Sequence, residues 1–278
     1  MVLSLRAYTG SLGWGTGSIT IGRVGLNLFV GFVFLFLLLP IFIVFPISLS
    51  SSSYLQFPPP GYSLRWYSSY LEDLTWIDAT VRSFKIALVT TAIATVLGTL
   101  LSFGLVRGAF RGRRLLERLA IAPLVIPTIA YSVAAYSLFS QLQLIGRWEA
   151  IAIAHAVHAV PFVVIIVAAA LRTYDVSLEL AAMGLGASRL KAIIRVTLPQ
   201  LRPAIVSAGF IAFISSFDEL VIAMFLGGVN VTLPKKMFDN ILYEIDPTIA
   251  AVSVLQILLA CIVLLLAYRF GSGVRPIR

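Results

Sequence analysis

Long apolar runs separated by short polar and basic stretches make up this chain. Six runs stand out, over about 25–49, 80–106, 119–141, 150–171, 204–227 and 248–268. Each meets the roughly 20 apolar residues that a helix needs to cross about 30 Å of hydrocarbon. None shows the alternation of a barrel strand, and backbone in lipid must satisfy its own hydrogen bonds, so the runs predict helices. The expected fold is an all-α membrane protein with six transmembrane helices. A tail over 1–24, a six-helix domain over 25–268 and a second tail over 269–278 are its expected divisions.

The polar positions between the runs orient the chain. Arg6 and Arg23 precede the first run, Arg107, Arg111, Arg113, Arg114 and Arg118 follow the second, Arg172, Arg189, Lys191, Arg195 and Arg202 follow the fourth, and Arg269, Arg275 and Arg278 end the chain. These 15 cations fall on one side, against six on the other: Arg65, Arg82, Lys85, Arg147, Lys235 and Lys236. The positive-inside rule therefore predicts that both termini and the even-numbered loops are cytoplasmic. The opposite loops hold Glu72, Asp73, Asp78, Glu149, Asp239, Glu244 and Asp246.

Composition agrees. Of 278 residues, 59% are hydrophobic and 12% charged, where a soluble domain carries roughly 25% charged residues. A net charge of +9 would suggest phosphate contacts in a soluble protein. Here the topology accounts for it, and no nucleic-acid partner is expected. The single cysteine, Cys261, lies in the last run, where it reads as a packed thiol, so there is no disulfide framework. No small-residue cleavage pattern accompanies the first run, which reads as a retained span. In the first external loop, Pro58, Pro59 and Pro60 precede Tyr62, Trp66, Tyr67, Tyr70 and Trp76, the composition of a segment lying at the headgroup level.

The stretch from Arg172 to Pro203 is too long for a plain connection, and it keeps helical spacing. Leu178, Ala181, Ala182 and Leu185 share one face, with Asp175 or Ser177 as N-cap and Glu179 in the first turn. Gly186 supplies a stop and Ser188 a new N-cap. A second helix carrying Leu190, Ile193 and Ile194 is expected to end before Pro199.

Glu179, Leu180, Ala181 and Ala182, then Gly186 with Ala187 and Ser188, then Val196, Leu198 and Pro199 resemble the EAA motif of ABC-importer permeases. Leu180 stands where that motif has glutamate, with the acid shifted to Glu179, and Val196 replaces isoleucine. The stretches from Phe57 to Tyr67, from Ser216 to Leu220 and from Thr232 to Ala251 are similar to the spermidine/putrescine importer branch. The resemblance implies that the motif forms a cytoplasmic coupling helix between spans four and five, seated on a dimer of ATPase subunits. It further implies a second permease, homologous but a different chain, an external solute-binding protein, and a place in the bacterial inner membrane. ATP and magnesium would belong to the ATPase; this chain has no phosphate-binding GxxxxGK[ST] loop and is expected to need no cofactor of its own.

Asp218 and Glu219 fall inside the fifth run, where a carboxylate costs roughly 2.5–3.5 kcal/mol at the bilayer centre. With Ser216 and Phe217 they are the expected lining of the translocation path, where a carboxylate would attract a cationic solute. Neighbours on a helix point about 100° apart, so at most one of the two acids faces the path squarely, leaving the other to cap or to pair at a subunit interface. His155 and His158 share a face of the fourth run but lack a third metal ligand. Pro123, Pro127 and Pro161 are expected kinks, and Gly98, Gly104, Gly209 and Ala212 expected close-packing sites. The function expected is a transport subunit rather than an enzyme: half of the path of an ATP-driven importer for a small polar, cationic solute. The alternatives are a stand-alone transporter or channel using Asp218 and Glu219 for ion coupling, and import of another small solute such as a phosphonate, iron or an opine-like compound.

Overall fold

The computed structural model describes residues 16–243 and 246–271, with the side chains of 22–243 and 246–270. Regular structure there is helical: α1 (Thr16–Ser48), α2 (Arg65–Glu72), α3 (Leu74–Arg107), α4 (Arg113–Val125), α5 (Thr128–Gln141), α6 (Trp148–Thr173), α7 (Ser177–Gly184), α8 (Arg189–Ala192), a π-helical turn (Ile193–Thr197), α9 (Leu198–Phe217), α10 (Val221–Leu226), α11 (Leu233–Tyr243) and α12 (Thr248–Gly271). Arg6, Glu244, Arg275 and Arg278 lie outside the described residues. The first helix starts within the expected 1–24 tail, because nothing there stops helical hydrogen bonding where the apolar run ends.

Five helices are long and apolar enough to cross a membrane: α1, α3, α6, the stretch Arg189–Phe217 and α12. The third expected run is not one rod. It divides into α4 and α5, bent by 106°, and the break falls at Pro127, which opens α5. Proline disfavours helical backbone in the residue before it, and Ile126 accordingly sits at φ −73° and ψ 127°. The fifth run also breaks, ending α9 at Phe217 and resuming as α10 at Val221.

At the centre lies α6, packed on α3, α9, α4 and α10. The Thr90 hydroxyl donates to the Ala152 carbonyl at 3.1 Å, and the Ser102 hydroxyl, which donates to the Gly98 carbonyl at 2.7 Å, lies 3.4 Å from that of Val164. Both pairs are 62 residues apart, so α3 and α6 run parallel and in step, and residues 108–147 must lead back from the end of one to the start of the other. Close approach rests on small residues. Ala150, Ala152, Ala154, Ala156 and Ala159 are buried on α6, and a Cβ on Gly98 would meet the Val163 Cβ at 2.6 Å. At Gly209 a Cβ would lie 3.3 Å from the Thr95 hydroxyl, a looser fit, whereas at Gly104 it would meet nothing within 4 Å among the described residues.

Two further expectations are corrected. Of the loop aromatics expected to meet lipid, Trp66, Tyr70 and Trp76 are instead buried in the protein, because α2 packs on α12 and α3 and the Tyr70 hydroxyl shares a 2.8 Å hydrogen bond with Thr80, while Tyr62 stays exposed. Cys261 is exposed, since the packed face of α12 is the one carrying Val252, Leu255, Leu259 and Val263.

Candidate functional sites

One candidate site is built where α3 and α6 end. After α6, the Asp175 carboxylate accepts the Ser177 amide at 2.9 Å, and the backbone and side-chain bonds to Ser177 hold its carboxyl below the ordinary 3.8. The turn that follows α7 satisfies the helix carbonyls in pairs: Gly186 N–H reaches the Met183 carbonyl at 3.0 Å and Ala187 N–H the Ala182 carbonyl at 3.1 Å. This double bond pattern requires left-handed backbone at its hinge, supplied by Gly186 at φ +93°. Ser188 caps α8 by accepting the Lys191 amide.

Glu179 fastens this segment to the bundle. It is the buried residue of α7, its carboxylate is paired with Arg107 at the end of α3, and it accepts the Thr197 hydroxyl at 2.9 Å. Burial pushes its carboxyl up, but the hydrogen bonds from Arg107 and Thr197, with the charges of Arg107 and Arg189, outweigh that and hold it below the ordinary 4.5. The Arg107 guanidinium also lies 5.4 Å from the centre of the Tyr174 ring.

The apolar face of α7 is turned away from the bundle. Leu178, Ala181 and Leu185 are exposed and Ala182 half-buried, while a charged residue points inward, because Arg107 neutralises it there. Leu180 is 61% exposed and Leu185 91%. Alongside them, Leu190 is exposed and Ala187 half-buried. The second helix does not end before Pro199. It runs through the π turn into α9 with Pro199 in the first turn, where a missing amide costs least and the wider turn before it relieves the ring's clash with the preceding carbonyl.

A second candidate site lies at the break after α9. Ser216, Phe217, Asp218 and Glu219, consecutive in the sequence, separate into two directions. Ser216 and Glu219 turn toward α6: His155 Nδ1 lies 2.9 Å from the Ser216 hydroxyl and His155 Nε2 3.4 Å from Glu219 Oε2. Glu219 also caps α10, accepting the amides of Val221 at 3.1 Å and Ile222 at 2.7 Å. Phe217 and Asp218 turn the other way, into a cavity of about 290 Å³ between α9 and α12 that also holds Phe213, Ser253 and Gln256. The Phe213 and Phe217 rings stack at 5.8 Å, and Phe84 meets Phe217 edge-on at 5.0 Å.

Asp218 is exposed, and among the described residues no cationic side chain pairs with it and no donor reaches its carboxylate. At about 1.5 Å per residue, the 20 residues of α9 place Asp218 about 30 Å from the Glu179 end. Sequence reasoning missed Arg107 and Thr197 as partners of Glu179, and Ser253 and Gln256 as companions of Asp218. No periodicity signals contacts across such sequence separations.

His158 packs its ring 5.8 Å from that of Tyr131, whose hydroxyl donates to the Ala154 carbonyl at 2.8 Å. Among the described residues no group of three or more His, Cys, Asp and Glu side chains is placed to hold a metal ion.

Residues 94–276 match the family described as the binding-protein-dependent transport system inner membrane component. The chain is 35% identical to the putrescine transport system permease protein PotI of Escherichia coli (strain K12), over 82% of this chain and 83% of that one. It is 28% identical to the spermidine/putrescine transport system permease protein PotC of Haemophilus influenzae, over 87% and 94%. Among solved structures, it resembles a chain of a bacterial ABC transporter involved in the import of alginate, with TM-score 0.73 at 20% identity over 92% of this chain and 98% of that one. The MetNI methionine ABC transporter gives TM-score 0.61 at 20% identity, over 73% and 99%.

Proposed function

Because the chain belongs to the family of binding-protein-dependent transport system inner membrane components, we propose that it forms half of the translocation path of an ATP-driven importer for a small cationic amine of the putrescine and spermidine class. The observation that carries this reading is Asp218, a carboxylate with no cationic partner among the described residues, facing a cavity whose lining includes no Lys or Arg. A carboxylate without a counter-charge at the edge of an apolar cavity attracts a cationic solute. The names of the relatives in Escherichia coli and Haemophilus influenzae point to the same solute class. A phosphonate or other anion would be repelled by this lining. Ion coupling through Asp218 and Glu219 together is disfavoured because Glu219 is committed to the α10 cap.

In this reading α4 and α5 together make one crossing, since α3 and α6 run parallel, and the spans number six over 25–268. The basic loops gather at the end holding Arg107, Glu179 and Arg189. We take that end as cytoplasmic, with both termini there and the 1–24 and 269–278 tails beside it. The segment carrying Glu179, Leu180, Ala181, Ala182, Gly186, Ala187 and Ser188 is then the coupling helix. Its exposed Leu180, Leu185 and Leu190 seat in a dimer of ATPase subunits, and its Glu179 bond to Arg107 and its continuity with Leu198 and Pro199 carry the ATPase motion into α3 and α9 as rigid-body displacement. ATP and magnesium act in the partner, so this chain needs no cofactor of its own. A homologous second permease completes the path, and an external binding protein delivers the solute in the bacterial inner membrane.

The test is reconstitution of the chain in liposomes with a second permease, the ATPase subunits and the binding protein. Putrescine uptake is expected to require both ATP and the binding protein. Transport by the purified chain alone without ATP overturns the reading, and stimulation of ATP hydrolysis by some other solute, with no amine uptake, overturns the substrate class.

A further inference from the structure

The cavity beside Asp218 has a hydrogen-bonding character of its own. Its polar lining is Asp218, Ser253 and Gln256, set among Phe213, Ile214, Phe217, and apolar residues of α12. A carboxylate only accepts. The Ser253 hydroxyl spends its proton on the Ile249 carbonyl at 2.8 Å, so toward the cavity its oxygen has lone pairs to offer. Gln256 adds an amide whose oxygen accepts two bonds. The cavity thus offers up to three acceptor groups and, apart from the Gln256 amide nitrogen, no donor.

Such a lining suits a ligand that only donates. A primary ammonium carries three N–H donors and no acceptor, one for each of the three groups. The methylenes behind it find the stacked Phe213 and Phe217 rings, whose faces also attract a cation. A volume of about 290 Å³ lies at the small end of ligand sites, which span roughly 300–1,000 Å³, enough for one end of a short diamine. Its position adds a second constraint. Asp218 follows the 20 residues of α9, and Ser253 and Gln256 stand within the first nine residues of α12, so all three lie near the end of the bundle remote from Glu179.

We propose that this cavity is a receiving site for one primary ammonium group at the outer end of the path, and that Ser253 and Gln256 of α12 make it selective for primary over fully alkylated amines. The inference rests on the importer reading and names the part of the path that meets the solute first.

The assembled transporter in lipid nanodiscs, without binding protein, is titrated calorimetrically with putrescine and with putrescine trimethylated on both nitrogens. Saturable binding of putrescine is expected, with the methylated compound weaker by about tenfold or more, the factor expected when hydrogen bonds to a charged group are lost. Gln256→Leu is expected to weaken putrescine by about tenfold, whereas Gln256→Glu, which keeps an acceptor and adds charge, binds putrescine at least as tightly as the unaltered protein. Equal affinity for the two compounds, no saturable binding of putrescine, or equal weakening by the leucine and glutamate variants overturns the proposal. Uptake in the liposome assay separates the two readings. If the unaltered assembly imports no amine, the importer substrate is wrong; if it imports putrescine while the nanodisc titrations show no selectivity, only the receiving site is wrong.

Discussion

Glu179 shows how much one side chain decides. Its carboxylate joins α7 to the end of α3 and to the turn before α9, so its removal leaves Arg107 largely buried without its counter-charge. Breaking such a pair from one side costs about 3–5 kcal/mol. Glu179→Ala is therefore expected to lower the melting temperature in detergent, and joint replacement of Arg107 and Glu179 by leucine to recover much of the loss. A double variant no better than the single one would show that the pair is not the fastening. The carboxyl is held below 4.5 in the fold, so its contribution is fully present above that pH and is lost as pH falls through the lowered value. Docking of α7 should accordingly weaken on acidification below pH 4.5, seen as faster amide exchange in 177–184, and Glu179→Gln should abolish that dependence. At the other end, Asp218→Asn is expected to reduce amine uptake strongly while assembly with the ATPase, followed by copurification, stays intact. Of this chemistry the acids themselves were legible in the sequence, as was the expectation that only one of Asp218 and Glu219 faces the path. That Glu219 caps α10 while Asp218 turns into the cavity beside α12 was not, because a cap depends on where the helix breaks.

Elements begin and end here for reasons that were readable where they are local and hidden where they are not. Gly186 as a stop and Ser188 as a cap follow from backbone conformation and side-chain reach. Gly186→Ala would force a Cβ into left-handed backbone at a cost of roughly 1–2 kcal/mol, and is expected to loosen the turn and lower ATP-driven uptake more than it lowers the melting temperature of the bundle. An unchanged rate would mean that the turn need not hold its shape. The bend at Pro127 was legible in the proline itself, but its size and the break after Phe217 were not. Hydropathy registers where apolar residues are, not where the rod bends, so 119–141 and 204–227 both read as single runs. The apolar spacing of α7 identified a shared face, and the structure leaves that face turned away from the bundle.

For the molecule as a whole, orientation is the testable consequence of the charge distribution. With Cys261 replaced by serine, Lys235→Cys should react with an impermeant maleimide added outside right-side-out vesicles, and Lys191→Cys only after the membrane is opened. The opposite pattern would invert the topology. Hydrophobic length, loop charge and the helix stop and cap at Gly186 and Ser188 are local properties, written residue by residue, so the helical class, the membrane setting, the expected sidedness and the turn after α7 all follow from the chain alone. Tertiary structure decided the rest. The 62-residue step between α3 and α6, the burial of Glu179 and the meeting of Asp218 with Ser253 and Gln256 arise from packing between helices distant in sequence, where shape and charge are matched across space and leave no periodic trace along the chain.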